Sequence, residues 1–272
     1  KSGFGTGCAT SLGVAEQTVQ LLVVSDLDGT LLDHDDYSFE EVLPVLDRMD
    51  EAGISMVVNT SKTRAEWLAM RGDFGNEAPY IVENGSALYD GENVTVFGTP
   101  RAKILDVLKP LRAKFKFKGY SDVSATEIME WTGLGRQSAE RSANRHFSEP
   151  LVWQDTPEKE EEFCEMLVER GLMTLKGGRF LHVLGQTDKG KPLAHLKKDE
   201  AAIIALGDRQ NDLAMLKVAD IGVVIAAPDG FVLEADDVLR STETGPRGWA
   251  EMMTRILDQL QIPQSQKNTN DG

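Results

Sequence analysis

Five aspartates fall between positions 26 and 36 in the stretch SDLDGTLLDHDDYSF, directly after the apolar run LLVV at 21–24. Asp26 and Asp28 are two residues apart, so in extended backbone their side chains lean the same way. Carboxylates held that close repel one another, and a bound cation or a shared proton relieves the repulsion. Such a pair can supply a nucleophile, an acid–base group or ligands for a hard cation. Spacing argues against a calcium loop: counted from Asp26, position 6 is Leu31 instead of glycine and position 12 is Tyr37 instead of glutamate. Gly29 permits a sharp exit from strand into loop. Asp33, Asp35 and Asp36 read as a solvated polar turn.

Chemistry at Asp26 and Asp28 needs elements that bring other groups to them. LLVV reads as a buried strand, and Phe39, Val42, Leu43, Leu46 and Met49 then recur at helical spacing up to Gly53. Strand-like ISMVV (54–58) leads to Thr60, with a helix expected from about Ser61 to Arg71, and PYIV (79–82) follows. Near the other end AAIIAL (201–206) precedes Asp208, Asn211 and Asp212, a helix at 211–218, the run IGVVIA (221–226) and a last helix at about 246–261. Strands separated by helices imply right-handed crossovers and a parallel sheet. Ligands of such sheets bind outside the carboxyl ends of the strands, which is where Asp26, Asp28, Thr60 and Asp208 fall.

The middle of the chain has a different texture. Helical stretches at 99–114, 123–130, 135–146 and 157–170 surround the strand-like KFKFKG, PLVWQ and RFLHVL. The expected organisation is a core of 21–91 and 185–262, an inserted module of 92–184 hinged near Gly91 and Gly185, and disordered ends at 1–20 and 263–272. Residues 101–150 hold ten Lys or Arg against six Asp or Glu, which reads as a solvated helix face or as a basic wall for an anion.

Bulk properties narrow the field. The 272 residues can bury one large core or two modest ones, and 41% hydrophobic with 27% charged content is that of an ordinary globular protein. A formal net charge of −15 argues against general nucleic-acid binding, and no apolar run reaches membrane-spanning length. Two cysteines, Cys8 and Cys164, indicate no disulfide framework, which makes a reducing cytoplasm the expected location. GQTDKGKP (185–192) nearly spells a nucleotide-binding P-loop, but Pro192 stands where a hydroxyl is required. The four histidines show no metal-ligand spacing.

DLDGTL resembles the first motif of the haloacid dehalogenase superfamily of aspartate-nucleophile phosphohydrolases. Thr60 matches its second motif, Lys189 in TDKGK its third and GDRQND (207–212) its fourth, in the family's order. VNTSKTRAEW (58–67), PYIVENGSALY (79–89), RSANRHFSEPLVW (141–153) and GGRFLHVLGQTDKGK (177–191) are further similar to the mannosyl-3-phosphoglycerate phosphatase family, a likeness running from about Leu21 to Leu260.

That resemblance implies an α/β fold, a Rossmann-like parallel-sheet core with an inserted α+β cap of the C2B type. It implies Mg²⁺-dependent hydrolysis of 2-O-mannosyl-3-phosphoglycerate, with Asp26 as nucleophile, Asp28 as general acid and base, and Thr60 and Lys189 holding phosphoryl oxygens. The metal set would be Asp26, Asp208 and the Asp28 carbonyl, with Asp212 or Asn211 behind them. Ser61, Lys62, Glu83, Asn84, Gly85, Arg145, Ser148, Glu149 and Arg179 are the expected substrate contacts, the arginines suiting a carboxylate. The expected partner is a small anionic sugar phosphate, with neither nucleic acid nor membrane, acted on by a monomer or homodimer. A glucosyl-3-phosphoglycerate or sucrose phosphate phosphatase, a sugar phosphomutase and a non-enzymatic sugar-phosphate-binding module are the alternatives.

Overall fold

The computed structural model describes residues 20–197 and 202–264. The expected disordered ends fall largely outside these residues. At their margins, however, the Gln20 carbonyl accepts from Ala202 N at 2.9 Å, and the Pro263 carbonyl accepts from Arg48 Nε at 2.9 Å.

Among the described residues the core sheet has eight strands. In chain order they are β1 (Leu21–Ser25), β2 (Ser55–Asn59), β3 (Tyr80–Val82), β4 (Ala87–Asp90), β5 (Asn93–Val96), β10 (Ala202–Gly207), β11 (Ile221–Ala226) and β12 (Val238–Thr244). Their spatial order is β12-β11-β10-β1-β2-β3-β4-β5. The pairs from β12 to β3 are parallel, whereas β4 and β5 join antiparallel. Successive side chains of β1 point to opposite faces. Val23 therefore packs into the cluster shared with Val45, Trp67 and Trp249, and Val24 into the one shared with Leu193 and Met215. Burial on both faces explains why LLVV is continuously apolar.

Helices α1 (Leu43–Glu51), α2 (Arg64–Met70) and α9 (Gly245–Gln259) line the first face; α7 (Gly190–Leu196) and α8 (Leu213–Val218) line the second. Helix α2 begins three residues later than the sequence suggests. Thr63 caps it: its Oγ1 accepts from Glu66 N while Glu66 Oε2 accepts from Thr63 N, a reciprocal box that fixes the start. Trp249, fully buried on α9, donates through Nε1 to Ser25 Oγ at 3.0 Å, bracing the strand that ends at Asp26.

The second sheet is antiparallel, in the order β6 (Phe117–Gly119), β7 (Ser148–Trp153), β9 (Phe180–Gly185), β8 (Leu172–Gly177). Helices α3 (Arg101–Leu111) and α6 (Pro157–Val168) cover one side through Ile104, Leu108, Phe163 and Leu167. Helices α4 (Ala125–Thr132) and α5 (Arg136–Ala143) enclose a smaller cluster around Tyr120 and Ile128. Because β4 and β5 extend the core sheet, the chain crosses into the cap at 97–100 instead of at Gly91. A Cβ on Gly185 would lie 2.5 Å from Thr99 N, so the outgoing and returning connections run in close contact. Among the described residues no helix is long and apolar enough to cross a membrane.

Candidate active site

The register places β1 between β10 and β2, with Ser25 opposite Leu206 on one side and Val58 on the other. Asp26, Asp208 and Thr60 therefore leave neighbouring strands at one edge. Asp26 N donates to the Leu206 carbonyl at 2.9 Å, extending the ladder by one step and fixing the side chain over that edge.

Lys189 joins the carboxylates. Its fully buried ammonium donates to Asp26 Oδ1 at 2.5 Å and to Asp212 Oδ1 at 2.6 Å. Burial opposes its charge, but Asp212 and Asp26 outweigh that and hold the group protonated. Asp26 is itself raised well above the ordinary carboxylate range by burial and by Asp212, against the pull of Lys189. Asp208 is pushed up to about 6, first by burial and then by Asp212. Too much negative charge has been gathered here for one lysine to neutralise. One oxygen from each of Asp26, Asp208 and Asp212 lies within 4.8 Å of the others, an all-oxygen set that fits a hard divalent cation such as magnesium.

The fourth-motif loop is built around Asp212. Its Oδ2 accepts from Asp208 N at 3.0 Å and from Arg209 N at 2.9 Å, so Asp212 shapes the loop that presents Asp208. Thr30 Oγ1 donates to Asp208 Oδ1 at 3.1 Å. Gly29 is obligatory between them: its φ is +77°, and a Cβ there would lie 2.8 Å from Asp208 Oδ2. Asn211 turns aside, its Nδ2 donating to Asn84 Oδ1 at 3.1 Å.

Asp28 is half-buried and ion-paired to Lys62 at 2.8 Å. Burial opposes the charge on Lys62, yet Asp28, with Glu66 behind it, holds the ammonium above its ordinary value. Lys62 also lies over the Tyr37 ring, 4.9 Å from its centroid. Thr60 Oγ1 accepts from Lys62 N at 3.1 Å, so the threonine shapes the turn between β2 and α2.

Several expected substrate contacts have other work. The Glu83 carboxylate accepts from His146 N at 2.8 Å, Phe147 N at 3.0 Å and Ser148 Oγ at 2.5 Å, binding core to cap. Arg145 donates to Ser148 Oγ at 3.0 Å and to the Ser61 carbonyl at 3.4 Å, across the same junction. Glu149 is fully buried within the cap, held by Arg101 Nε at 2.7 Å and Ser121 N at 2.7 Å, so it does not face the cleft. Arg179 is exposed at the turn between β8 and β9. Gly85, with φ +82°, passes beneath the Asp188–Lys189 peptide, where a Cβ would lie 2.0 Å from the Asp188 carbonyl oxygen.

Some positioning residues escaped the sequence reading. Buried Asn59 donates through Nδ2 to the Lys189 carbonyl at 2.9 Å, and Thr187 Oγ1 to the Gly85 carbonyl at 2.9 Å. A polar residue ending a buried apolar run was the available signal for Asn59. Much of the basic island is consumed by pairs such as Arg101–Glu149, Arg112–Asp122 and Lys114–Glu162.

Comparison with known proteins adds independent findings. The sucrose-6F-phosphate phosphohydrolase family profile matches residues 19–237. A glucosyl-3-phosphoglycerate/mannosyl-3-phosphoglycerate phosphatase of Persephonella marina is 33% identical over 267 residues, spanning 89% of this chain and 98% of its own. A protein of the same name from Methanococcoides burtonii is 33% identical over 263 residues, spanning 87% and 97%. Among solved structures, a haloacid dehalogenase-like hydrolase from Bacteroides thetaiotaomicron has a TM-score of 0.67 at 19% identity, covering 87% of this chain and 99% of that one. The sucrose-phosphatase from Synechocystis in complex with sucrose and phosphate has a TM-score of 0.62 at 17% identity, covering 87% and 98%. At those identities the two structures attest to the fold alone.

Proposed function

This chain belongs to the sucrose-6F-phosphate phosphohydrolase family and is a phosphatase of the haloacid dehalogenase superfamily; from that premise we propose that it hydrolyses a glycosyl-3-phosphoglycerate, 2-O-mannosyl-3-phosphoglycerate foremost, to the glycosylglycerate and phosphate. Asp26 attacks phosphorus in line and forms an aspartyl-phosphate, while Asp28 gives a proton to the departing sugar-acid oxygen. Asp28 then takes a proton from the water that cleaves the intermediate, releasing phosphate and restoring the Asp26 carboxylate. Lys189 and Thr60 steady the transferring oxygens, since phosphoryl transfer demands mainly positioning and charge stabilisation. A magnesium ion would be held by Asp26, Asp208 and the Asp28 carbonyl, backed by Asp212, and when bound it would neutralise charge on the phosphoryl group.

The observation that carries the substrate class is the Lys62–Asp28 pair. For Asp28 to carry a proton, Lys62 must pass to another anion. A 3-phosphoglycerate brings one beyond its phosphate, namely its carboxylate, whereas a sucrose phosphate brings none. The test is phosphate release from mannosyl-3-phosphoglycerate, glucosyl-3-phosphoglycerate and sucrose 6F-phosphate, with and without Mg²⁺. The reading expects a kcat/KM at least about tenfold higher on a phosphoglycerate ester, the worth of one charge-assisted contact. Equal rates on all three would overturn it.

A further inference from the structure

A cavity of about 240 Å³ opens beside the Lys62–Asp28 pair, between core and cap. Tyr37, Lys62, Glu66 and Met70 line it from the core, and Leu134 and Arg141 from the cap. Two cations thus face one space from opposite domains. Lys62 is committed to Asp28, but the Arg141 side chain has no carboxylate partner among the described residues. Its backbone is fixed nonetheless: the Arg141 carbonyl accepts from Thr63 Oγ1 at 2.9 Å, tying the end of α5 to the residue that caps α2. Arg141 is therefore held at the cavity by an anchor independent of its side chain.

The other walls have a matching character. The Tyr37 ring, Met70 and Leu134 offer apolar surface, and one Glu66 oxygen is engaged by Thr63 N. Tyr37 holds a φ of +61°, an uncommon conformation for a non-glycine residue, and its ring comes to lie beneath Lys62. A ligand combining a carboxylate with a sugar face suits this arrangement: guanidinium and ammonium for the acid, ring and aliphatic walls for the sugar.

We propose that this cavity is the leaving-group subsite, and that Arg141 of the cap and Lys62 of the core together clasp the carboxylate of the substrate's glycerate. The proposal deepens the glycosyl-3-phosphoglycerate reading and rests on it for the identity of the leaving group. Arg141 is then a specificity-determining residue, and the cation supplied by the cap makes carboxylate recognition conditional on core and cap being together.

The test is made on the intact enzyme with p-nitrophenyl phosphate as reporter. Mannosylglycerate and its uncharged methyl ester are compared as inhibitors of reporter hydrolysis, each variant measured against its own uninhibited rate. For the unaltered protein the acid is expected to inhibit at a concentration at least about tenfold below the ester. In Arg141→Gln that preference falls to within about twofold, and in Arg141→Lys, which keeps the charge but not the planar fork, part of it survives. Absence of any acid-over-ester preference in the unaltered protein overturns the subsite, as does full preference in Arg141→Gln. The substrate reading fails separately: an intact, Arg141-dependent preference together with no turnover of phosphoglycerate esters would uphold the carboxylate subsite and reject those esters as the substrate.

Discussion

Lys189 is a fully buried cation between two buried carboxylates, and the residue scale is where its removal should be most costly. Lys189→Met leaves Asp26 and Asp212 facing each other without compensation. Breaking a buried charge cluster from one side costs roughly 3–5 kcal/mol, which equilibrium unfolding in denaturant would register. A change below about 1 kcal/mol would mean that the cluster is not paired as described. His182 gives a pH signature. Burial, and then the Arg145 charge, hold its imidazole down to about 3, against 6.5 for a free side chain. The unfolded chain therefore binds a proton below 6.5 that the folded chain refuses until near 3. The contribution is fully present above 6.5 and is lost as pH falls between those values, at up to about 1.4 kcal/mol per pH unit. His182→Gln should flatten unfolding free energy against pH between 6 and 4; an unchanged slope would place the effect elsewhere.

At the scale of elements, the loops that leave the strands carry the site, and each is shaped by a close backbone approach or a buried polar group. Gly85→Ala separates two costs. Gly91, at φ +57°, has open space around it, so Gly91→Ala should cost only the roughly 1–3 kcal/mol of an unfavourable backbone conformation. Gly85→Ala adds a collision with the Asp188 carbonyl and should also depress turnover at least about tenfold by shifting Lys189. Similar kcat values in the two variants would contradict this. Glu83→Gln should weaken the core–cap clasp by about 1–3 kcal/mol, seen as faster hydrogen exchange at the His146 and Phe147 amides. The sequence made the inner parallel strands β1, β2, β3, β10 and β11 legible because they are buried on both faces and read as unbroken apolar runs, whereas the short antiparallel β4 was not read. Strands β5 and β12 were not, since Asn93–Val96 and Val238–Thr244 lie at the sheet edges and keep mostly exposed or half-buried side chains. The four phosphatase motifs lie at strand ends or in the loops that follow them, which is why they could be placed. Glu83 and Glu149 were not placeable, because a sequence does not say which distant amides and guanidinium groups will claim a buried carboxylate.

For the whole molecule, the division of labour among the described residues is between an eight-stranded sheet that gathers the carboxylates and a four-stranded cap that meets it across the cleft. The basic island at 101–150 looked like a wall for an anion, yet Arg101, Arg112 and Lys114 pair with acids of the cap itself. Of the described residues that line the cavity, the cation from the cap is Arg141 of α5, which amphipathic spacing could not tell from a solvated residue. The account stands or falls on whether phosphate passes through Asp26. The decisive measurement is rapid acid quench during turnover of mannosyl-3-phosphoglycerate labelled in its phosphate, followed by peptide mass spectrometry. A phosphoryl group on Asp26, labile to hydroxylamine, is expected, together with a loss of turnover of at least roughly 10³-fold in Asp26→Asn. Label on another residue, or turnover near the unaltered rate in Asp26→Asn with deamidation excluded, would contradict it.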